Sequence, residues 1–529
     1  MISINQLKVR INTNTDNLKE AISRKLKVSV DKIIDYKIQR RSINARKKDD
    51  IFFVYSLQVE VKDEQLILQK KITNVTKYIE KTNQMDNSQY SYLENKKIAI
   101  IGFGPAGMFS ALTLTKAGVN VTVFERGEKV EDRINTIKRF NSERVLNTES
   151  NIQFGEGGAG TFSDGKLTNR KKDPLGKWLF SELVKAGAPE EIMYVHNPHI
   201  GTDKLISVVR NIREEIISLG SQIRFNSKVS NIEPYNNGLN LTVSDQEEYF
   251  DYCILAIGHS SRDTIEMLYN NKCQITQKPF AVGFRIEHRQ KVINKAQFGP
   301  NANHPKLGNA EYKLTHQTKH GKGVYTFCMC PGGLVVAASS EEGMVVTNGM
   351  SEYKRDKVNA NSALLVTVDE SDFGSSHPLA GIKFQREIER KAFEIGGSNY
   401  NAPIQTVDDF INNRTTTKLG SILPSYPIGV TYANLRQVFS KEINTAFIEA
   451  FPRMGNKLRG FDSKDALLTG VESRSSSPVR IVRDKDTLQS LSFENLYPTG
   501  EGAGYAGGIV SAAIDGIRVA NKILEAIRK

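Results

Sequence analysis

The chain has 529 residues, with 72 Lys and Arg against 59 Asp and Glu, a formal charge of +13, 39% hydrophobic and 25% charged residues. That length exceeds what one core supports and predicts about three domains of ordinary soluble composition. No run approaches the roughly 20 apolar residues of a membrane span. The N-terminus has no secretory apolar core, and four cysteines are too few for a disulfide framework, so a cytoplasmic setting is expected.

Residues 1–94 predict a small α+β domain and a linker. A strand over Gln6–Ile11 leads to an amphipathic helix over Asp16–Leu26, with Leu18, Ala21, Ile22 and Leu26 near helical spacing. Ile51–Val61 is β-rich and partly alternating, hence a strand. Asp63–Ile79 predicts a further strand and helix, and the polar stretch Lys81–Glu94 a linker. Residues 1–95 hold eighteen Lys and Arg against twelve Asp and Glu. Six of those cations (Lys37, Arg40, Arg41, Arg46, Lys47, Lys48) fall within twelve residues. Asp35, Asp49 and Asp50 flank them, which favours a solvated face over a nucleic-acid patch.

From Lys96 the texture becomes α/β. An apolar strand ends in Gly102-Phe-Gly104-Pro105-Ala106-Gly107, a helix follows to Gly118, and a second apolar strand ends at Glu125. This is a complete βαβ dinucleotide fingerprint. Gly102 permits the tight turn, Gly104 the close approach of a pyrophosphate, and Gly107 the packing of helix on strand. The helix N-terminus offers unpaired N–H groups to the phosphates. Glu125 would accept hydrogen bonds from the adenosine ribose and repel a 2′-phosphate, and Arg126 beside it belongs to the same expected site.

The strand Tyr249–Ile257 ends on Ala256-x-Gly258. Near the C-terminus, Gly500-Glu501-Gly-Ala-Gly504-Tyr-Ala-Gly507-Gly508-Ile509 opens the last helix. In this order the chain resembles the glutathione-reductase-like class of FAD enzymes. The resemblance implies that Glu501, where the class usually has Asp, holds the ribityl chain. It also implies that Val229 meets adenine through its backbone, that Ala256 and Gly258 line the passage, and that Gly507, Gly508 and Ile509 edge the isoalloxazine. Gly155-Glu-Gly157-Gly158-Ala-Gly160 lacks the strand–turn–helix context of a nicotinamide site, so this loop is expected beside the flavin.

The blocks Phe154–Leu167, His196–Leu205, Phe280–His288, Phe327–Gly333 and Glu472–Ile481 narrow the resemblance to a bacterial family of FAD-dependent dehydrogenases. The fold class implied is α/β: a glutathione-reductase-like FAD-binding Rossmann domain, an inserted β-rich substrate domain and a small N-terminal α+β domain. The expected boundaries are 1–94, 96–264, 265–481 and 482–529, the second and fourth segments forming one FAD domain.

Candidate catalytic residues are Lys166, as a charge partner for the reduced ring, His199 (or His196) as general acid or base, and Arg474 (with Arg480) as a bidentate anion holder. The H-x-x-H spacing has no partners suited to zinc, so no metal is expected. Cys328 and Cys330, two apart in a strand, are expected to share a face without redox function. The expected function is an FAD-dependent oxidoreductase moving a hydride between flavin and a small, anionic substrate, with NAD(P)H as a transient donor. An RNA-modifying flavoenzyme and a non-catalytic flavin-binding protein are the alternatives. Nucleic acid is not the expected partner, and no oligomeric state is assigned.

Overall fold

The computed structural model describes residues 1–13, 18–79, 96–168 and 173–528. The expected linker Lys81–Glu94 lies outside the described residues, as do Asp16 and Asn17 of the first expected helix.

The N-terminal sheet is four-stranded, in the order Ile33–Asn44, Phe52–Val61, Ile2–Arg10, Val75–Lys77. Phe53, Tyr55, Leu57, Val59 and Val61 alternate into its core, and the helix Lys19–Leu26 covers them with Ile22 and Leu26. The first strand begins at Ile2, not Gln6, because Ile2 and Ile4 are fully buried. The basic run from Lys37 is a finding the apolar pattern concealed: Lys37, Arg40 and Arg41 lie in a twelve-residue strand, Ile33–Asn44, and Arg46, Lys47 and Lys48 in the turn after it. Only Ile33 of that strand is buried, and its pairing with Phe52–Val61 supplies the order its side chains do not.

The second sheet is wholly parallel, in the order Leu496–Pro498, Tyr252–Leu255, Ile98–Ile101, Val121–Phe124, Gln222–Arg224. Its central strands are apolar but for Thr122 because both faces are covered. Ile98 and Ile100 face the helices Pro105–Lys116, Thr202–Ser218 and Ile509–Ala526. Ala99 and Ile101 face a three-stranded antiparallel sheet over Val229–Tyr235, Gly238–Val243 and Gln246–Phe250. The strand and helix that complete this Rossmann-like fold thus come from the far end of the sequence.

Between them lies a seven-stranded sheet ordered Thr315–Gln317, Gly323–Cys330, Asn359–Val368, Phe280–Arg289, Leu467–Glu472, Ala402–Thr406, Val430–Tyr432. A short antiparallel pair, Ile275–Gln277 with Val479–Ile481, joins its two ends to the Rossmann-like part. One apolar cluster runs from the N-terminal sheet into this β-rich region. Arg41 also donates its N–H to the Tyr194 carbonyl (2.7 Å) and accepts from the His196 N–H (2.8 Å). The N-terminal sheet is therefore docked on both other parts. Among the described residues, no helix is long and apolar enough to cross a membrane.

Candidate functional site

A cavity of about 240 Å³ runs along the C-terminal ends of the parallel strands and stops against the seven-stranded sheet. Open α/β sheets place their ligand crevices at such strand ends. Here the wall takes Gly102 and Gly104 after one strand, Glu125 and Arg126 after the next, Ala256 and Gly258 after the third, and Glu501 after the edge strand. Pro105 and Ala106, and Gly508 and Ile509, bring two helix N-termini to the same wall. Unpaired N–H groups and two partial positive charges therefore converge on it.

The glycines differ in what they do. Gly102 has φ +95°, and a Cβ there would come within 2.5 Å of the Ala256 carbonyl oxygen. A Cβ at Gly107 would lie 2.0 Å from the Gly102 oxygen, so helix and turn can meet only at glycine. At Gly104, by contrast, a Cβ would meet only Gly158 Cα at 3.8 Å. None of the described residues demands a glycine there, and the space in front of it belongs to the cavity. Gly158 and Val229 also stand in the wall, whereas Gly107, Gly157 and Gly500 do not line it and Gly507 is exposed outside it. Gly157 is turned away, its Cβ position 2.0 Å from Thr161 Oγ1, and Gly500 packs on Ala106.

Glu125 is buried and accepts from three backbone N–H groups: Phe103 at 2.8 Å, Gly127 at 3.0 Å and Gly155 at 3.0 Å. One carboxylate thereby ties the first glycine turn to the second glycine loop, and one lone pair, on Oε2, remains open to a ligand. Arg126 forks onto Asp263 with two bonds of 2.9 Å and lies 4.1 Å from the Phe154 ring centroid. At the other end, Glu501 meets His259 Nδ1 at 3.4 Å and the Gly508 N–H at 3.5 Å. Burial opposes its charge, but His259, the Gly508 amide and Lys278 hold the carboxyl below its ordinary range. Asp515, from the last helix, accepts from Gly500 N–H and Thr499 Oγ1 at 2.9 Å each and pairs with Arg483.

The far end of the cavity is built by the seven-stranded sheet and its loops. Lys166 lines it, donates to the Met329 carbonyl, and lies 3.7 Å from Glu311 and 3.9 Å from Asp164. Arg474 lines it too, but its guanidinium is held by Glu389 at 3.1 and 3.2 Å. That corrects its expected role: it braces the wall, and it is not free to clasp a carboxylate with both arms. His199 requires the larger correction. It lies outside the wall, bonded through Nε2 to the Tyr353 carbonyl at 2.9 Å and stacked on the Tyr353 ring. Burial, with Arg355 nearby, pushes its pKa down. His196 contacts Arg40 at 3.4 Å, and Arg480 is exposed beside Tyr505; neither lines the cavity.

Cys328 and Cys330 do not follow the alternation of a regular strand. The register shifts between Phe327 and Cys330, Cys328 takes φ +43°, and the bulge leaves Cys328 exposed while Cys330 is buried. Both still border the cavity. Burial pushes the Cys330 thiol up to about 12, which keeps it protonated and a poor nucleophile. Sequence reasoning passed over Glu472 and His259, both in the wall. The signal for Glu472 was present: it is the lone charge closing an otherwise uncharged strand, Leu467–Glu472.

The crevice, its paired helix N-termini and the open space at Gly104 fit the pyrophosphate and ring of FAD. Fold and site together define an FAD-dependent oxidoreductase. Residues 96–282 match the family described as pyridine nucleotide-disulphide oxidoreductase, residues 279–475 that described as FAD-dependent protein, C-terminal domain-like, and residues 1–60 a domain of unknown function. A protein of Clostridium beijerinckii named only "Uncharacterized protein" is 48% identical over 528 residues, 99% of this chain and 98% of that protein. The chain belongs to its family, that of the FAD-dependent proteins. Among solved structures, a flavoprotein/dehydrogenase from Cytophaga hutchinsonii is 12% identical with a TM-score of 0.37, covering 82% of this chain and 79% of that one. A variant of halogenase PltM in complex with FAD is 12% identical with a TM-score of 0.39, covering 82% and 70%.

Proposed function

We propose that this flavoenzyme moves a hydride between FAD and a small anionic organic substrate held at the far end of the cavity. In this reading Glu125, Arg126 and Val229 take the adenosine, and Gly102, Gly104 and the N-terminus at Pro105 take the pyrophosphate. Glu501, Gly508 and Ile509 flank the ring. The cofactor supplies the redox chemistry; the protein binds, orients and excludes water. Lys166 supplies positive charge where an anion would sit, and NAD(P)H serves as a transient donor at the same face.

The observation that carries the reading is the continuity of one cavity from the glycine-lined strand ends to Lys166 and to Glu472 of the seven-stranded sheet. The test is to purify the yellow holoprotein, confirm that acid precipitation releases FAD and not FMN, and screen metabolites and NAD(P)H for bleaching of the bound flavin. Bleaching by small hydroxy- or amino-acids is expected. A flavin bleached by none of them would overturn the reading in favour of a non-catalytic flavin-binding protein.

A further inference from the structure

Two buried polar atoms in the cavity wall have no hydrogen-bond partner among the described residues: Glu472 Oε2 and His259 Nε2. His259 is tied to the cofactor side of the cavity through Glu501. Glu472 arrives from the opposite side, at the end of the strand Leu467–Glu472, and is only 3% exposed.

Its placement is not the default of that strand. Phe284 pairs with Gly470, yet Gly283 pairs with Glu472, so Val471 is an extra residue. A regular strand would put Glu472 on the same face as Gly470; the bulge gives it the register position Val471 would have held, and so the other face. There its Oε1 meets Arg285 Nη1 at 3.4 Å. Arg285 is itself fixed, bonding Asn361 Oδ1 at 2.5 and 3.0 Å and the Cys328 carbonyl at 3.0 Å. Gly349 leaves room for it, since a Cβ there would lie 2.0 Å from Arg285 Nη2. One carboxylate oxygen is thus anchored, and the other, Oε2, has no partner among the described residues although Glu472 stands in the cavity wall. Most buried side-chain oxygens have a partner; Glu472 differs from Glu156, which also has one oxygen unpaired, in standing in the cavity wall.

We propose that Glu472 is the proton-transfer group of this site, exchanging a proton with the hydroxyl or amine of an organic substrate as hydride moves between the adjacent carbon and the flavin. This rests on the hydride-transfer reading above. In the oxidative direction the C–H bond of an H–C–O–H or H–C–N–H unit breaks. Its electron pair and hydrogen pass to the oxidised flavin, the O–H or N–H proton passes to Glu472 Oε2, and a C=O or C=N bond forms. The reductive direction returns the proton from the neutral carboxyl. The groups acting on Glu472 are Arg285 from the neighbouring strand, His259 from the loop after Tyr252–Leu255, and the thiol of Cys328. Burial pushes the carboxyl up to about 7 against the pull of Arg285, where a general acid or base works best at neutral pH.

The test uses holoprotein, wild type against Glu472→Gln and Glu472→Asp. Infrared difference spectra should show a protonated carboxyl band that titrates away near neutral pH, and the flavin midpoint potential should change its pH dependence at the same point. Glu472→Gln should lose both signals, and Glu472→Asp should keep them at a shifted pH. A wild type with no such carboxyl, or a break in potential that persists in Glu472→Gln, overturns the proposal. Because burial also pushes Glu156 up to about 7, Glu156→Gln holoprotein, which should keep both signals, assigns the band even if the Glu472 variants fail to fold. Loss of the signals in Glu156→Gln overturns the proposal. Sulfite, an anion that adds to the flavin ring where hydride would arrive, separates the two readings. It should bleach the wild type; failure to do so, with the carboxyl signal intact, counts against the anionic substrate and leaves Glu472 in place.

Discussion

Arg262, in the helix Arg262–Asn270 of the Rossmann-like part, clasps Glu389, in the helix Ala380–Ile395 of the β-rich part, through parallel bonds of 2.5 and 2.9 Å. Both side chains are wholly buried. Arg474 holds the same carboxylate from the cavity side, so one buried anion joins the two halves of the site. Glu389→Ala would leave two buried guanidinium groups facing each other. We expect it to cost about 3–5 kcal/mol in denaturant unfolding, the usual loss when one partner of a buried pair is removed.

The same carboxylate gives an acid limit. Burial opposes its charge, but Arg262 and Arg474 hold it down to about 2, below the ordinary 4.5. With the folded value below the unfolded one, the stabilisation is fully present above the ordinary value and is lost as pH falls toward about 2. Glu389→Gln should remove this component from a melting-temperature profile taken across acid pH.

Glu472 predicts the opposite slope. Its folded carboxyl lies near 7, above the ordinary 4.5, so between those values the folded chain binds a proton that the unfolded chain has released. Stability of the flavin-free protein from this group therefore falls as pH rises through that window. Glu472→Gln should be the more pH-tolerant protein there; an unchanged slope would place the shifted carboxyl elsewhere.

Two glycine variants separate ligand contact from chain packing. Gly104→Val should fold and lose FAD, since its Cβ meets only Gly158 while the rest of the side chain fills the cavity. Gly107→Val should fail at folding, because its Cβ would press on the Gly102 carbonyl. Absorbance of the bound flavin and the unfolding midpoint distinguish the two outcomes.

Glu125→Ala should lower both FAD retention and stability. It removes one acceptor from three backbone N–H groups, and each buried amide left unsatisfied costs about 1–3 kcal/mol. Loss of FAD with no change in unfolding would show that those amides find other partners.

Deleting residues 1–79 should leave the cavity residues in place but lower the melting temperature and the soluble yield. The deletion uncovers part of a shared apolar cluster and strips Tyr194 and His196 of their backbone bonds to Arg41. A truncated protein that melts like the full chain would show the docking to be energetically neutral.

The Rossmann-like part was legible in sequence because its signals are local. A buried parallel strand must be continuously apolar, a phosphate turn must be glycine, and an acid at the next strand end follows at fixed spacing, so Ile98–Ile101, Gly102 and Glu125 announced themselves. The basic strand Ile33–Asn44 did not, because its order comes from its partner strand and not from its own apolar period. The same holds for the far end of the cavity. Lys166 and Arg474 were legible as residue types of the right chemistry, but whether a charge is free or taken depends on what faces it: Arg474 meets Glu389, 85 residues away. His199 turned on a carbonyl of Tyr353, and the aim of Glu472 on one extra residue in a strand pairing. Residue type and short-range period determined the fold class and the dinucleotide crevice. Burial, long-range pairing and register decided which charges reach the cavity, because those depend on contacts between segments that no local pattern encodes.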